Sequence, residues 1–347
     1  MHSTVLAPFT ARDGENLALY EWPLEDWASE MGPDAPPPRA VVLMVHGLGE
    51  HASRCLHVAN QLLDWGFAVR AYDQRGHGES GGARAALPHE TALLDDLAEV
   101  VDDTRRRCLR LPLVSRAPDG SQQPLPLILL GHSLGGLVVS RFVALRMRPV
   151  EGLVMASPAL DAGLSGFQKL LLAAMLRLAP NLCLGNGLDA RYLSHDEAVV
   201  QNYLAARLVH DKISPRLGKF IADAGPSTIA AARWSTPNLL MYAGADRLVN
   251  PAGSRAFAET AANSPEVKPG TVTAKCFDGL YHEIFNETDA APVFATLKAW
   301  LDRRFCKCSG ACDSRRSRVG GNPVEVLIWV NEALWIPAFA GMTVVFL

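Results

Sequence analysis

Two patterns of apolar residues alternate along this chain. Short, mostly apolar runs occur at Ala40–Val45, Phe67–Tyr72, Leu125–Leu130, Val150–Ala156, Pro237–Ala243 and Thr271–Phe277. Runs this short predict strands, and Ala40–Val45, apolar throughout, predicts one that is buried. Between them lie stretches of helical spacing at 55–65, 91–108, 136–146, 252–262 and 290–304. The clearest is 91–108, where Leu93, Leu94, Leu97, Val100 and Val101 share one face. Its acids come early and Arg105, Arg106 and Arg107 come late, which suits the helix dipole. Residues 4–22 alternate loosely about Arg12-Asp13-Gly14-Glu15-Asn16, which predicts an N-terminal hairpin turn. The Pro-rich stretch 32–38 and the polar stretch 111–124 read as loops. Strands alternating with helices predict an α/β chain with a mostly parallel central sheet and helices on both faces. From about 160 to 233 the alternation stops and the pattern reads as helices only, an insertion lying over the sheet as a cap.

Composition adds exclusions. The chain has 347 residues, 49% of them hydrophobic, with 33 Lys+Arg against 36 Asp+Glu. A net charge of −3 removes the bulk argument for a nucleic-acid partner. Met1-His2-Ser3-Thr4-Val5-Leu6-Ala7 carries neither a basic nor an apolar signal region, so a cytoplasmic protein is expected. Cys55, Cys108, Cys183 and Cys276 are scattered, and read as reduced, buried thiols rather than a disulfide framework.

The chemistry starts at Gly131-His132-Ser133-Leu134-Gly135. This G-x-S-x-G follows an apolar strand and precedes a helix, the setting of a sharp turn that exposes a serine hydroxyl. Side chains two residues either side of the serine would collide, so both positions are small. A serine nucleophile needs a base, and the base an orienting acid, in the order Ser, Asp or Glu, His, each after a strand. Asp246 follows the strand ending at Ala243, and His282 the strand ending at Phe277. Asp161 is the competing acid, and Asp278 reads as a turn residue. His46 and His132 flank glycines in loops and read as shaping residues. The oxyanion donors expected are the backbone N–H groups of Leu134, after the serine, and of Leu48, in His46-Gly47-Leu48-Gly49.

His46-Gly47-Leu48-Gly49-Glu50-His51-Ala52-Ser53-Arg54, Tyr72-Asp73-Gln74-Arg75-Gly76-His77-Gly78-Glu79-Ser80 and Gly131–Gly136 together resemble the monoacylglycerol lipase and lysophospholipase family of α/β-hydrolases. Ser157-Pro158-Ala159-Leu160, Pro180-Asn181-Leu182, Gly244-Ala245-Asp246 and His282-Glu283 extend the resemblance over roughly 10–305. It implies an α/β-hydrolase fold with a helical cap over an acyl tunnel. It also implies cofactor-free hydrolysis of a lipid carboxylic ester through an acyl-enzyme, with Ser133, Asp246 and His282 as nucleophile, acid and base. Glu50, Arg54 and Tyr203 fall at the glycerol-binding end. Other serine chemistries share the triad: a broad carboxylesterase, an aminopeptidase or an acyltransferase. A non-catalytic hydrolase-like binding protein is the alternative of another class, and it usually lacks a triad member. A nucleophilic-aspartate enzyme is disfavoured because the elbow carries serine.

Gly163–Leu178 is apolar nearly all round, interrupted by Gln168, Lys169 and Arg177. Such a helix packs on the body, lines an acyl tunnel, or makes transient contact with a membrane or lipid aggregate. One hydrolase domain is expected over 1–305, with 306–347 as an appended tail. In that tail Cys306, Cys308 and Cys312 lack a fourth zinc ligand, so no metal is expected. Val324–Leu347 is strongly apolar but holds Glu325, Glu332 and Pro337, which makes a membrane anchor expensive. Trp335–Thr343 resembles translated intergenic repeat at the ends of unrelated bacterial reading frames, so read-through is expected.

Overall fold

The computed structural model describes residues 4–5, 8–22, 27, 36–110, 115–116, 122–231 and 233–305. The cysteine cluster and apolar run expected after 306 lie outside them, as does most of the loop at 111–124.

Every apolar run named above forms a strand of one sheet. Val41–Val45 (β5), Ala68–Tyr72 (β6), Leu127–His132 (β9), Gly152–Ala156 (β10), Asn238–Ala243 (β13) and Val272–Phe277 (β14) pair in parallel in the order β6-β5-β9-β10-β13-β14. Leu19–Trp22 (β4) adds antiparallel to β6, and Thr4–Val5 (β1) antiparallel to β4, which makes eight strands among the described residues. The N-terminal turn forms as a hairpin of Phe9–Thr10 (β2) and Asn16–Leu17 (β3), with Gly14 at a positive φ of 89°. The loop at 111–124 carries a short antiparallel pair not expected from its polarity, Ser115–Arg116 (β7) with Gln122–Gln123 (β8).

The helices are Leu56–Asp64 (α1), Ala92–Arg110 (α2), Leu134–Ala144 (α3), Gly166–Leu178 (α4), Glu197–Ala205 (α5), Pro215–Ala230 (α6), Pro251–Asn263 (α7) and Ala291–Arg304 (α8). In α3 nearly every residue is buried, which follows from its apolar circumference. The central strands are buried along their whole length for the same reason. Of the scattered cysteines only Cys108 is buried; Cys55, Cys183 and Cys276 are free and half-buried.

The insertion between β10 and β13 is not helical throughout. Leu184–Gly185 (β11) and Lys212–Ile213 (β12) pair antiparallel and bind its two halves together. Two residues per strand are too few to leave a period in the sequence. The α4 helix packs against α6 yet buries none of its own residues completely.

Strand register is what assembles the site. Val45 of β5 pairs with Gly131 of β9, and His132 with Ala156 of β10, so these strands end level. The loops after β5, β9, β13 and β14 therefore meet at one edge, the carboxyl end where open α/β sheets place their ligands.

Candidate active site

Ser133 is the residue between β9 and α3, with φ 52° and ψ −117°. A non-glycine side chain at positive φ is strained, and the surroundings enforce it. Its N–H donates to Ala156 O at 3.0 Å, and its carbonyl accepts from Ala159 N at 3.0 Å. A Cβ at Gly131 would collide with the Gly135 backbone, and one at Gly135 with the carbonyls of Val45 and His46. The two glycines thus let α3 approach β5 and leave the serine hydroxyl exposed at the helix N-terminus.

Ser133 Oγ lies 2.8 Å from His282 Nε2, and His282 Nδ1 lies 2.6 Å from Asp246 Oδ2. The other carboxylate oxygen, Oδ1, accepts the N–H groups of Leu248 at 2.8 Å and Val249 at 3.0 Å. Nδ1–H therefore donates to the acid, and Nε2 is left to accept the serine proton. Burial pushes the His282 imidazole down, but the charge and hydrogen bond of Asp246 outweigh it, so its pKa is raised. His132, whose ring centroid is 4.9 Å from that of His282, is pushed down to about 4 by burial and by His282. Asp161 is engaged elsewhere: its carboxylate accepts from Asn250 Nδ2 and Gly163 N, both at 2.8 Å. Asp278 is exposed.

The loop after β5 is pinned from behind. Gln74 N–H donates to His46 Nε2 at 2.9 Å, and Gln74 Nε2 to His46 O at 2.7 Å. Asp73 Oδ1 accepts from Ala52 N at 2.7 Å. Leu48 lies on this loop and lines a cavity of about 300 Å³ that also holds Ser133 and His282. Leu134 opens α3, so its N–H belongs to the first turn, which has no acceptor within the helix.

Glu50 and Tyr203 line one end of this cavity with a residue whose role went unread, Glu283, and Arg54 joins them from behind rather than lining it. Arg54 Nη2 contacts both oxygens of Glu283, at 3.0 and 2.8 Å, and its Nη1 lies 3.5 Å from Glu50 Oε2. The guanidinium carbon stands 4.6 Å from the Tyr203 ring centroid, brought there by the inserted segment. Glu50 Oε1 also accepts from Gly47 N at 2.6 Å, and Glu283 from Asn286 Nδ2 at 2.7 Å. Both carboxylates are buried, at 5% and 4% exposure. Burial pushes Glu50 up, but Arg54 and the Gly47 N–H hold it below its ordinary value; at Glu283 burial prevails and the pKa is raised. Asn186 is a second residue missed: it is buried, lines the cavity, and its Nδ2 has no partner among the described residues.

The family model described as serine aminopeptidase, S33, matches residues 36–289. The chain belongs to this family. Within it, the chain is 35% identical to a monoacylglycerol lipase of Mycolicibacterium smegmatis over 76% of its own length and 88% of that protein. It is 28% identical to the human monoglyceride lipase, over 77% of this chain and 84% of that one. The crystal structure of a monoacylglycerol lipase from Paleococcus ferrophilus superposes with a TM-score of 0.65 at 32% identity, covering 78% of this chain and 96% of that one. This member of the family is a carboxylic ester hydrolase of the α/β-hydrolase fold. No helix among its described residues is long and apolar enough to cross a membrane.

Proposed function

We propose that this hydrolase cleaves the ester of a monoacylglycerol or lysophospholipid through an acyl-enzyme on Ser133. The observation that carries the reading is the unbroken chain from Asp246 Oδ2 through His282 to Ser133 Oγ, 2.6 and 2.8 Å long, facing a cavity. His282 Nε2 takes the hydroxyl proton as Oγ attacks the ester carbonyl. Asp246 holds the tautomer and stabilises the imidazolium. The N–H groups of Leu48 and Leu134 receive the developing oxyanion. His282 then protonates the leaving alcohol, and water repeats the cycle on the acyl-enzyme. Glu50 and Tyr203 hold the alcohol end, and Arg54 behind them holds Glu50 in place.

A second cavity of about 430 Å³ suits the acyl chain. It is lined almost wholly by apolar groups, among them Leu171, Leu172 and Met175 of α4 and Ile221 of α6. The β11–β12 pair stands between the cavities: Leu184 and Ile213 line this one, and Asn186 and Asp211 line the catalytic one. The outer face of α4 exposes Leu170 at 68% and Leu178 at 86%, while Phe167, 74% exposed, stands at the edge of this cavity. Such a surface rests on a lipid aggregate while substrate enters.

Ser133→Ala, with the hydroxyl removed and nothing added, should lose about 10⁴-fold or more of kcat. The measurement is a kinetic panel of monoacylglycerols, lysophospholipids, p-nitrophenyl esters and aminoacyl anilides against both proteins. Retained turnover in Ser133→Ala sinks the nucleophile, and preference for the anilides sinks the lipid-ester reading.

A further inference from the structure

The end of the cavity that would receive the leaving alcohol is acidic, and among the described residues no Lys or Arg stands in its wall. Glu50, Glu283 and Asp211 line it together with Ser133. Asp211 sits at the exposed rim, where Lys212 Nζ pairs with it at 3.0 Å. Glu50 and Glu283 are different. They are buried, and they share one guanidinium, Arg54, which stands behind them under the Tyr203 ring. Two buried carboxylates against one guanidinium leave an excess negative charge that burial keeps from being fully screened. The Asn186 amide is a donor there without a partner among the described residues, and the His210 Nε2 is a second polar atom in the wall left without one.

We propose that Glu283, acting with Glu50, is a charge filter for the leaving group: the site accepts a neutral polyhydroxy alcohol and rejects one that carries phosphate. The inference rests on the ester chemistry proposed at Ser133 and narrows its substrate class. A glycerol hydroxyl matches both kinds of group present. It donates to a carboxylate oxygen and accepts from Asn186 Nδ2. A phosphate can only accept, and it would face two carboxylates whose sole counter-ion is already bound by both. Juxtaposed like charges are among the strongest means of excluding a wrong partner. Glu283 follows His282 directly, so the residue that would filter the leaving group rides on the loop that would protonate it.

The test compares kcat/KM for a monodecanoylglycerol and its glycerol phosphate counterpart, at monomeric concentrations, in the wild type and in Glu283→Gln. Both substrates see the same folded fraction of each protein, so their ratio is insensitive to any loss of folding. The wild type should favour the neutral ester by about a hundredfold, and Glu283→Gln should narrow that ratio by about tenfold or more. The variant removes one charge and frees Arg54 from one of its two carboxylates. Equal turnover of the two esters by the wild type overturns the filter, and so does an unchanged ratio in Glu283→Gln. Failure of the wild type to cleave either ester overturns the filter and the lipid-ester reading together.

Discussion

At the scale of single residues, the proposed mechanism makes the charge on one imidazole govern the rate. His282 must be neutral to accept the Ser133 proton, and protonation of its ring removes that capacity. Its pKa is raised because Asp246 outweighs burial, so the active form is lost, as pH falls, earlier than for an ordinary histidine. The acid limb of kcat/KM on a short soluble ester should therefore lie above 6.5, the ordinary value of the group. His132, pushed down to about 4, stays neutral throughout that range and adds no second limb. In Asp246→Asn the raising charge is gone while burial remains, so the limb moves to lower pH. The tautomer is also lost, and kcat should fall by about 10⁴. A pH–rate profile of the two proteins decides it: a limb that does not move in Asp246→Asn means that another group titrates. These three residues were legible in the sequence because each stands a few positions beyond an apolar strand, and the order of strands orders the chemistry. Glu283 and Asn186 were not. The partner of Glu283 is Arg54, 229 positions away, and nothing local to either marks the pairing.

At the scale of elements, the parallel strands were legible as apolar runs, with ends displaced by a residue or two. The β11–β12 pair was not, because its hydrogen bonds and not a side-chain period define it. The α4 helix was legible as apolar all round, but not which neighbours it serves. The structure divides its circumference. Leu172 lines the apolar cavity, and a Cβ built on Gly218 of α6 would stand 3.4 Å from its Cδ1. Leu170 and Leu178 point away and stay exposed. These faces should separate in experiment. Leu172→Trp occupies space in the cavity and should shift the preferred acyl chain to shorter lengths. Leu170→Ser with Leu178→Ser should lower turnover of vesicle-borne substrate by about a hundredfold or more, each Leu contributing about 1.5–3 kcal/mol of burial when it docks. The short soluble ester should be cleaved as before by the serine variant. A chain-length series and a vesicle assay on both variants test the division; equal loss on soluble and vesicle-borne esters would show that α4 has no surface role.

At the scale of the whole molecule, α8 and the residue after it end the last described segment. Phe305 is buried, with its ring centroid 6.0 Å from that of Trp300 and against the start of β10 at Gly152. Its carbonyl accepts from Arg39 Nε at 2.7 Å, and Asp302 pairs with Arg39 Nη1 at 2.7 Å, so the end of this segment is tied to the strand that leads to the Leu48 loop. The family match stops earlier still, at residue 289. We propose that residues up to 305 carry the complete hydrolase. Removing 306–347 takes away four basic and three acidic side chains, so the net charge changes from −3 to −4 and the long-range field hardly alters. A chain ending at Phe305 should keep its kcat/KM on the soluble ester within about twofold and its Tm within about 2 °C. Cutting before Phe305 is a different matter. It uncovers Trp300 and leaves Arg39 without the Phe305 carbonyl, and a deleted buried aromatic costs about 3–5 kcal/mol. Thermal melts of the chains ending at 305 and at 304 should therefore differ, the longer one matching the full protein. If the chain ending at 305 melts as low as the one ending at 304, residues beyond 305 belong to the fold.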